Sequence, residues 1–314
     1  MINYILRRLL VLLPLLLLVS VIVFLILRLG ENDPAMAYLR LSQIPPTDEA
    51  LAHAREQLGL NRPLVVQYLD WLWNALRMDF GLSYVTGEPV TERLLYYLPN
   101  TLYLAAVSLG ITLVLSFPMG ILAALKKDRL FDHLTRFMAF VGVSTPSFWL
   151  GFLLVFLFSV KLGWLPPLGK GGPAHVIMPA FTLALMSTCI NTRLIRGSML
   201  EQMNTRAVLY ARVRGVRERW IIGRHVLKNA LIPVVTAIGM HIGEMLGGAV
   251  VVEIIFAWPG VGRHAVSAIY NRDFPVMQCF ILMMTLLFVL CNLAVDIFYA
   301  WLDPRIRHQG GTTA

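Results

Sequence analysis

The sequence predicts an all-α integral membrane protein with six transmembrane helices and a helical extracytoplasmic segment between the first two. Three observations carry that reading. Hydrophobic residues make up 57% of the 314 and charged residues only 14%, where a soluble domain carries nearer a quarter charged; the mean hydropathy is +0.68. The apolar residues gather into uncharged runs close to the roughly 20 residues that a helix needs to cross a bilayer. The basic residues, which give a net charge of +9, collect beside those runs without interleaved aromatics. Membrane orientation explains that pattern and nucleic-acid reading does not, so the lipid bilayer is an expected partner and nucleic acid is not.

The first run, Leu9–Leu27, holds nineteen uncharged, mainly aliphatic positions behind Arg7 and Arg8. It suits a spanning helix and exceeds the apolar core of a signal peptide. The Ala35-Met36-Ala37 triplet after Pro34 resembles a cleavage site only faintly and is read as accidental. Further runs are Thr101–Leu125, Phe137–Val160, roughly Val176–Thr192, Asn229–Val252 (interrupted by His241 and Glu244) and Phe274–Val295. Pro118, Pro146 and Pro179 lie inside them and predict kinks that neighbouring helices absorb. Placing the N-terminus in the cytoplasm puts seventeen of the twenty-seven Lys and Arg inside. Both termini are then cytoplasmic. Cys189, Cys279 and Cys291 all fall inside apolar runs with neither disulfide nor zinc spacing and read as buried free thiols.

Four regions follow: 1–30, the N-terminal end and first span; 31–99, extracytoplasmic; 100–302, the remaining spans with a cytoplasmic loop at 197–229; and 303–314, a cytoplasmic tail. In the extracytoplasmic region Thr47-Asp48-Glu49 caps a helix that runs to Leu58 and stops at Gly59. Pro63 begins a second helix with Val65, Leu69, Leu72 and Leu76 on one face. Nine acids stand against five arginines between Glu31 and Arg93; that balance suits a cationic cargo and equally suits plain solvation.

The cytoplasmic stretch Ser198–Pro233 is the most informative. From Arg193 to Lys228 there are nine Arg or Lys and two acids, Glu201 and Glu218. Apolar residues recur at helical spacing around Val208, Leu209, Ala211 and Val213, and again at Trp220–Ile222, with Gly215 between. That pattern is helix, turn, helix on a membrane surface. Topology alone also supplies a basic cytoplasmic loop.

Tyr210-Ala211-Arg212-x-x-Gly215 followed by Arg224-His225-x-x-x-Asn229-Ala230-x-x-Pro233 resembles the cytoplasmic signature of permease subunits in bacterial dipeptide, oligopeptide and nickel ABC importers. The match continues through Asp79-Phe80-Gly81-x-Ser83, Thr192-Arg193-x-x-Arg196, Leu246–Glu253, Trp258-Pro259-Gly260-x-Gly262, Arg272-Asp273 and Asp303-Pro304-Arg305, in order along essentially the whole chain. The resemblance implies a type I ABC importer permease fold in the bacterial cytoplasmic (inner) membrane. It implies a second homologous permease, two ATPase subunits and an extracytoplasmic substrate-binding protein as partners. ATP and Mg would be bound by the ATPases, with no cofactor on this chain. Tyr210, Ala211, Arg212, Gly215 and Val216 would form the coupling helix that enters a groove of the ATPase. The Trp-Pro-Gly-x-Gly stretch is turn chemistry, expected as a short outer helix or loop.

The chain offers no catalytic motif. The nearest approach to a nucleotide loop, Gly163 to Gly169-Lys170-Gly171, has the wrong spacing and lacks a hydroxyl; zinc-helix and serine-elbow motifs are absent. The informative intramembrane residues are His241 and Glu244, because an ionisable group in mid-span normally faces a cavity or a partner. At about 100° per residue they project within roughly 60° of each other. Gly239, Gly243 and Gly247 form a small-residue stripe centred roughly 130° away, suited to close helix packing. His241 and Glu244 are therefore candidates to line the translocation path, with Gly248 widening it. An imidazole and a carboxylate also make a transient metal site that can release its cargo. A structural hydrogen bond between helices is the competing reading of the pair. Met240, Met245, Met277, Met283 and Met284 read as core filler before soft metal contacts. Arg193 and Arg196 read as markers of the inner interface, and Asn191, Asn292 and Asp296 stay ambiguous between helix contact and polar lining.

His241-Ile242-Gly243-Glu244 resembles the nickel branch of the family more than the peptide branch. The expectation is an importer permease for nickel or a nickel chelate, with di- or oligopeptide as the alternative cargo. An intramembrane hydrolase or a stand-alone channel would leave the basic hairpin without a purpose.

Overall fold

The computed structural model describes residues 2–29 and 33–302. The tail motif Asp303-Pro304-Arg305, Arg307, Glu31 and the side chains of Arg7, Arg8 and Asp296 lie outside the described residues. All regular elements among those described are helical, apart from an isolated antiparallel bridge between Leu82 and Pro89. Five helices are long and apolar enough to cross a membrane, six if one sharply bent pair counts as a single span. The chain divides into two compact units: Leu6–Thr101 with Pro259–Val289, and Leu102–Trp258 with the chain ends.

In the first unit, α1 (Ile2–Leu29) is followed by three short helices, α2 (Pro34–Leu41), α3 (Asp48–Gln57) and α4 (Leu64–Leu76). The caps are those the sequence requires. Asp33 accepts from the Ala35 amide ahead of Pro34, and Thr47 accepts from the Ala50 amide. Gly59 takes a left-handed φ of +66° just past the end of α3. Ala35, Leu39 and Ala54 close a small core between α2 and α3, and Arg55 grips Asp33 at 2.7 Å. The expected apolar face of α4 forms but stays open: Val65, Leu69 and Leu76 are all exposed.

The second span is longer than its apolar run. α5 covers Val90–Leu125, because Val90 and Leu94 are buried in a core with Val261, Ala268, Val276 and Cys279. The third run is broken instead of kinked. α6 (Leu130–Ser144) and α7 (Ser147–Leu154, prolonged by the π-turned Val155–Lys161) meet at 105°. Pro146 drives the preceding Thr145 to extended backbone, ψ 118°, and supplies no amide to carry α6 onward.

The second unit is organised on α8 (Pro173–Met203), whose Gly172-Pro173 start and 31-residue length carry it well past the apolar run. The basic hairpin follows as α9 (Arg206–Val213) and α10 (Glu218–Trp220). A π-turned Ile221–Leu227 then leads into α11 (Lys228–Ile255). Two apolar clusters hold α8 to α11, one around Leu183, Met245 and Ala249, the other around Ile195, Met199, Ala230 and Val234. Gly142 of α6 lies so close to α8 that an added Cβ would run into Cys189 Sγ. Cys189 and Cys279 are buried free thiols, and Cys291 is half-buried. Trp258 is buried and stacks on Tyr103 at 6.3 Å. Beyond it α12 (Val261–Asn271) and α13 (Phe274–Leu302) are the last of the described elements.

Candidate functional site

The hairpin divides its apolar residues between two faces. Val208 is 1% exposed and, with Ala211, joins the cluster of Ile195, Met199, Ile221 and Val226. Leu209, Tyr210 and Val213 point outward, Tyr210 at 68% exposure. Burial on one side thus fixes the helix, and the other side is free to meet a partner. The turn closes through two backbone bonds, Gly215 N–H to the Arg212 carbonyl and Val216 N–H to the Ala211 carbonyl. Gly215 sits at φ +72°, where a Cβ is disfavoured. Arg212 donates from Nη2 and Nε to the two oxygens of Glu218, at 2.5 and 3.2 Å. That bond holds the guanidinium above its usual range. The five residues expected to form the coupling helix thus make one locked turn with Tyr210 projecting from it.

On α11 the open face is read from exposure. Met240, Glu244, Gly247, Val251 and Ile254 are all exposed, a spacing that traces one stripe along the helix. His241 is turned inward, 3% exposed, and its Nδ1 lies 2.9 Å from Glu244 Oε2. The pair therefore straddles the border between the packed and the open face. The expected glycine stripe is divided. Gly239 packs against α13, where an added Cβ would run into the Val295 side chain, and Gly243 is buried, but Gly247 has nothing within 4 Å. Gly248, expected to widen the path, instead lies beside α8, with Leu183 Cδ1 at 3.2 Å from an added Cβ. The cause is the direction in which α11 packs on α8, which burial chooses and glycine spacing alone does not specify.

A second polar feature, in which the sequence pointed to Asn191 and His241 but not to Ser116, appears in the structure. Asn191 is fully buried with neither amide atom partnered, and the His241 Nε2 and Ser116 Oγ atoms are equally buried and unpartnered. Flanking contacts set their level. Thr112 of α5 bonds the Ala184 carbonyl, and Gly120 abuts Thr192 and Ile195, so Ser116 lies between those levels, along the stretch of α8 that holds Asn191. Gly248 beside Leu183 and the Ile195–Val234 cluster bring His241 to the same height. For Ser116 the signal in the sequence was a hydroxyl every fourth residue, Ser108, Thr112 and Ser116, on one side of α5. Among the described residues, no group of three or more His, Cys, Asp or Glu is placed to hold a metal ion.

In the other unit the two motifs Asp79–Ser83 and Arg272-Asp273 meet. The buried Asp273 carboxylate accepts from Ser83 Oγ at 2.5 Å and from the Tyr84 and Val85 amides at 3.2 and 3.4 Å. Burial, with Asp273 adding to it, pushes the Tyr84 phenol up to about 12.

Two family models cover the chain: "Binding-prot-dependent transport system membrane comp, N-term" over residues 1–105 and "Binding-protein-dependent transport system inner membrane component" over residues 116–308. Relatives of Escherichia coli K12 and Salmonella typhimurium LT2, both called glutathione transport system permease protein GsiC, are 41% identical over 310 residues, 98% of this chain and all of theirs. Neither name carries the nickel branch that the sequence led one to expect. In fold, the chain is similar to one in the inward-facing MetNI methionine ABC transporter, with TM-score 0.58, 19% identity and coverage of 69% of this chain and 99% of that one. An amino acid ABC transporter with histidines gives TM-score 0.51 at 18% identity, over 68% and 94%. The fold is therefore that of a type I ABC importer permease, the chain is a transport subunit and no enzyme, and ATP is hydrolysed on separate subunits. This chain belongs to the family of inner-membrane components of binding-protein-dependent transport systems.

Proposed function

We propose that the chain forms half of the translocation pathway of an importer for a small peptide of glutathione's kind. The observation that carries the cargo class is the 41% identity, end to end, with permeases named for glutathione. The geometry of α11 supports it: Glu244 stands on the open face at membrane depth, steadied by His241, where its carboxylate can receive a peptide ammonium group. Nickel or a nickel chelate is the second reading, favoured by the imidazole–carboxylate pair. It is weaker, because His241 Nδ1 is already engaged by Glu244 and its Nε2 is buried.

A second homologous permease supplies the other half of the path and covers the open stripe of α11. Two ATPase subunits bind the ATP and Mg, one of them docking on Tyr210–Val216, and an extracytoplasmic protein delivers the cargo. Both termini lie in the cytoplasm. The cycle is alternating access: closure of the ATPases moves the hairpin, and the π-turned segment passes that motion to α11.

Glu244→Gln tests the cargo contact in the reconstituted complex. The half-saturating peptide concentration should rise about tenfold with basal ATPase activity unchanged, as loss of one charge-assisted bond of about 1.5 kcal/mol implies. Unaltered peptide uptake, or nickel uptake in its place, would contradict this reading.

A further inference from the structure

At the cytoplasmic ends of α6 and α8 lies a cavity of about 340 Å³, distinct from the open face of α11, whose lining includes Thr135, Arg136, Phe140, Thr192, Arg193 and Arg196. Its charges do not balance. Arg196 is engaged by Asp132, Nε to Oδ1 at 2.5 Å and Nη2 to Oδ2 at 2.7 Å. Arg136 and Arg193 form no ion pair among the described residues. Three guanidinium groups thus face one carboxylate, which is fully buried and already occupied.

The depth is that of a headgroup. Arg136 stands six residues beyond the start of α6, about 9 Å along the helix, just inside the Lys126–Arg129 turn. Arg193 and Arg196 stand ten and seven residues before the end of α8, about 15 and 10 Å from it. Both helices belong to candidate membrane spans. On α6, next to the arginines, Phe137 and Phe140 are exposed, at 65% and 72%. Cationic donors and hydroxyls at one end with an open aromatic wall beside them match a phosphate joined to acyl chains. They match a fully hydrated anion or an acidic protein surface less well, since neither would use the aromatic wall.

The geometry points to a binding site for the phosphate of an anionic phospholipid, held by Arg136 and Arg193 with the free edge of Arg196, its acyl chains lying along Phe137 and Phe140. Basic pockets between transmembrane helices at a membrane edge recognise such headgroups. Guanidinium groups suit phosphate because their planar donors pair with two of its oxygens. Asp132 serves as a positioning residue that fixes Arg196. The site is independent of the cargo and stands or falls separately from the peptide reading.

The test uses the whole complex with its partner permease and ATPases, purified and stripped of lipid. Native mass spectrometry would follow added phosphatidylglycerol and phosphatidylcholine, with inorganic phosphate as a separate probe. Phosphatidylglycerol should be retained in preference to phosphatidylcholine, and retention should weaken about fivefold for each arginine removed in Arg136→Gln and Arg193→Gln. The Arg136→Lys and Arg193→Lys forms should retain most of it. A photoactivatable phosphatidylglycerol needs no variant and should label peptides within 130–144 and 185–199. Equal retention of the two lipids, labelling confined to the partner permease or an ATPase, or displacement of the lipid by inorganic phosphate would each overturn the proposal.

Discussion

Asp132 and Asp273 show how much of this chain depends on single carboxylates. Asp132 is buried and takes both hydrogen bonds of Arg196, so Asp132→Asn leaves a guanidinium without its counter-charge. The expected loss is about 3 kcal/mol, the lower end of what stripping one partner from a buried pair costs. It is read as a lower thermal midpoint of the purified complex, and replacing both residues by apolar ones should recover part of it. Asp273→Ala strands the Ser83 hydroxyl and the Tyr84 and Val85 amides. A loss of about 1–3 kcal/mol is expected, with faster proteolysis between Ser83 and Pro89. Burial against Tyr97 holds the His264 imidazole below its ordinary value, and the Arg93 charge adds to this. The unfolded chain therefore binds the extra proton more readily. The contribution of His264 to folding is full above the unfolded value of about 6.5 and is lost progressively below it, as pH falls through the lowered value of the folded state. Thermal midpoints measured across this range should drop on acidification, and His264→Gln should flatten the drop. These pairings were not legible in the sequence. Arg196 read as an interface marker and Asp273 as half of a motif, because partners 64 and 190 residues away leave no local pattern.

The hairpin was the most legible element. Its helical spacing, its glycine and its excess of arginine were all in the sequence, and the structure adds which side is buried. Val208 anchors and Tyr210 projects. Tyr210→Ala should therefore leave insertion and folding intact while cutting cargo-stimulated ATPase activity at least severalfold, measured in the reconstituted complex. Gly215→Ala should act differently, straining the left-handed turn by about 1–2 kcal/mol and weakening ATPase co-purification. The broken third span was only half legible. Pro146 announced a disturbance, but a proline inside an apolar run allows either a kink or a break. The 105° bend appears where Thr145 takes up extended backbone. On α11 the apolar run located the helix, but periodicity could not say which of its sides would be covered. Gly247 and Gly248 consequently exchanged places with respect to the neighbouring helix.

For the whole molecule, composition and charge placement were enough to read a multi-span membrane protein, and motif order was enough for the family. Cargo was not legible, because a His and a Glu at i and i+3 serve a metal, a peptide ammonium group or each other. Here they serve each other first, at 2.9 Å; Asn191 stood in the sequence as either helix contact or polar lining, and its unpartnered state, like that of Ser116, came to notice through burial. Unpartnered buried groups are costly, so another stage of the transport cycle should give Asn191 its partners. Asn191→Leu is accordingly expected to stabilise this arrangement and slow turnover.

The most direct measurement is ATP-driven uptake into proteoliposomes containing the full complex, with labelled glutathione and nickel as separate cargoes. Wild type should accumulate the peptide, and replacing Tyr210–Gly215 by alanine and glycine should abolish uptake while the chain still inserts. Peptide uptake that survives that replacement, or nickel uptake without peptide uptake, would contradict the account.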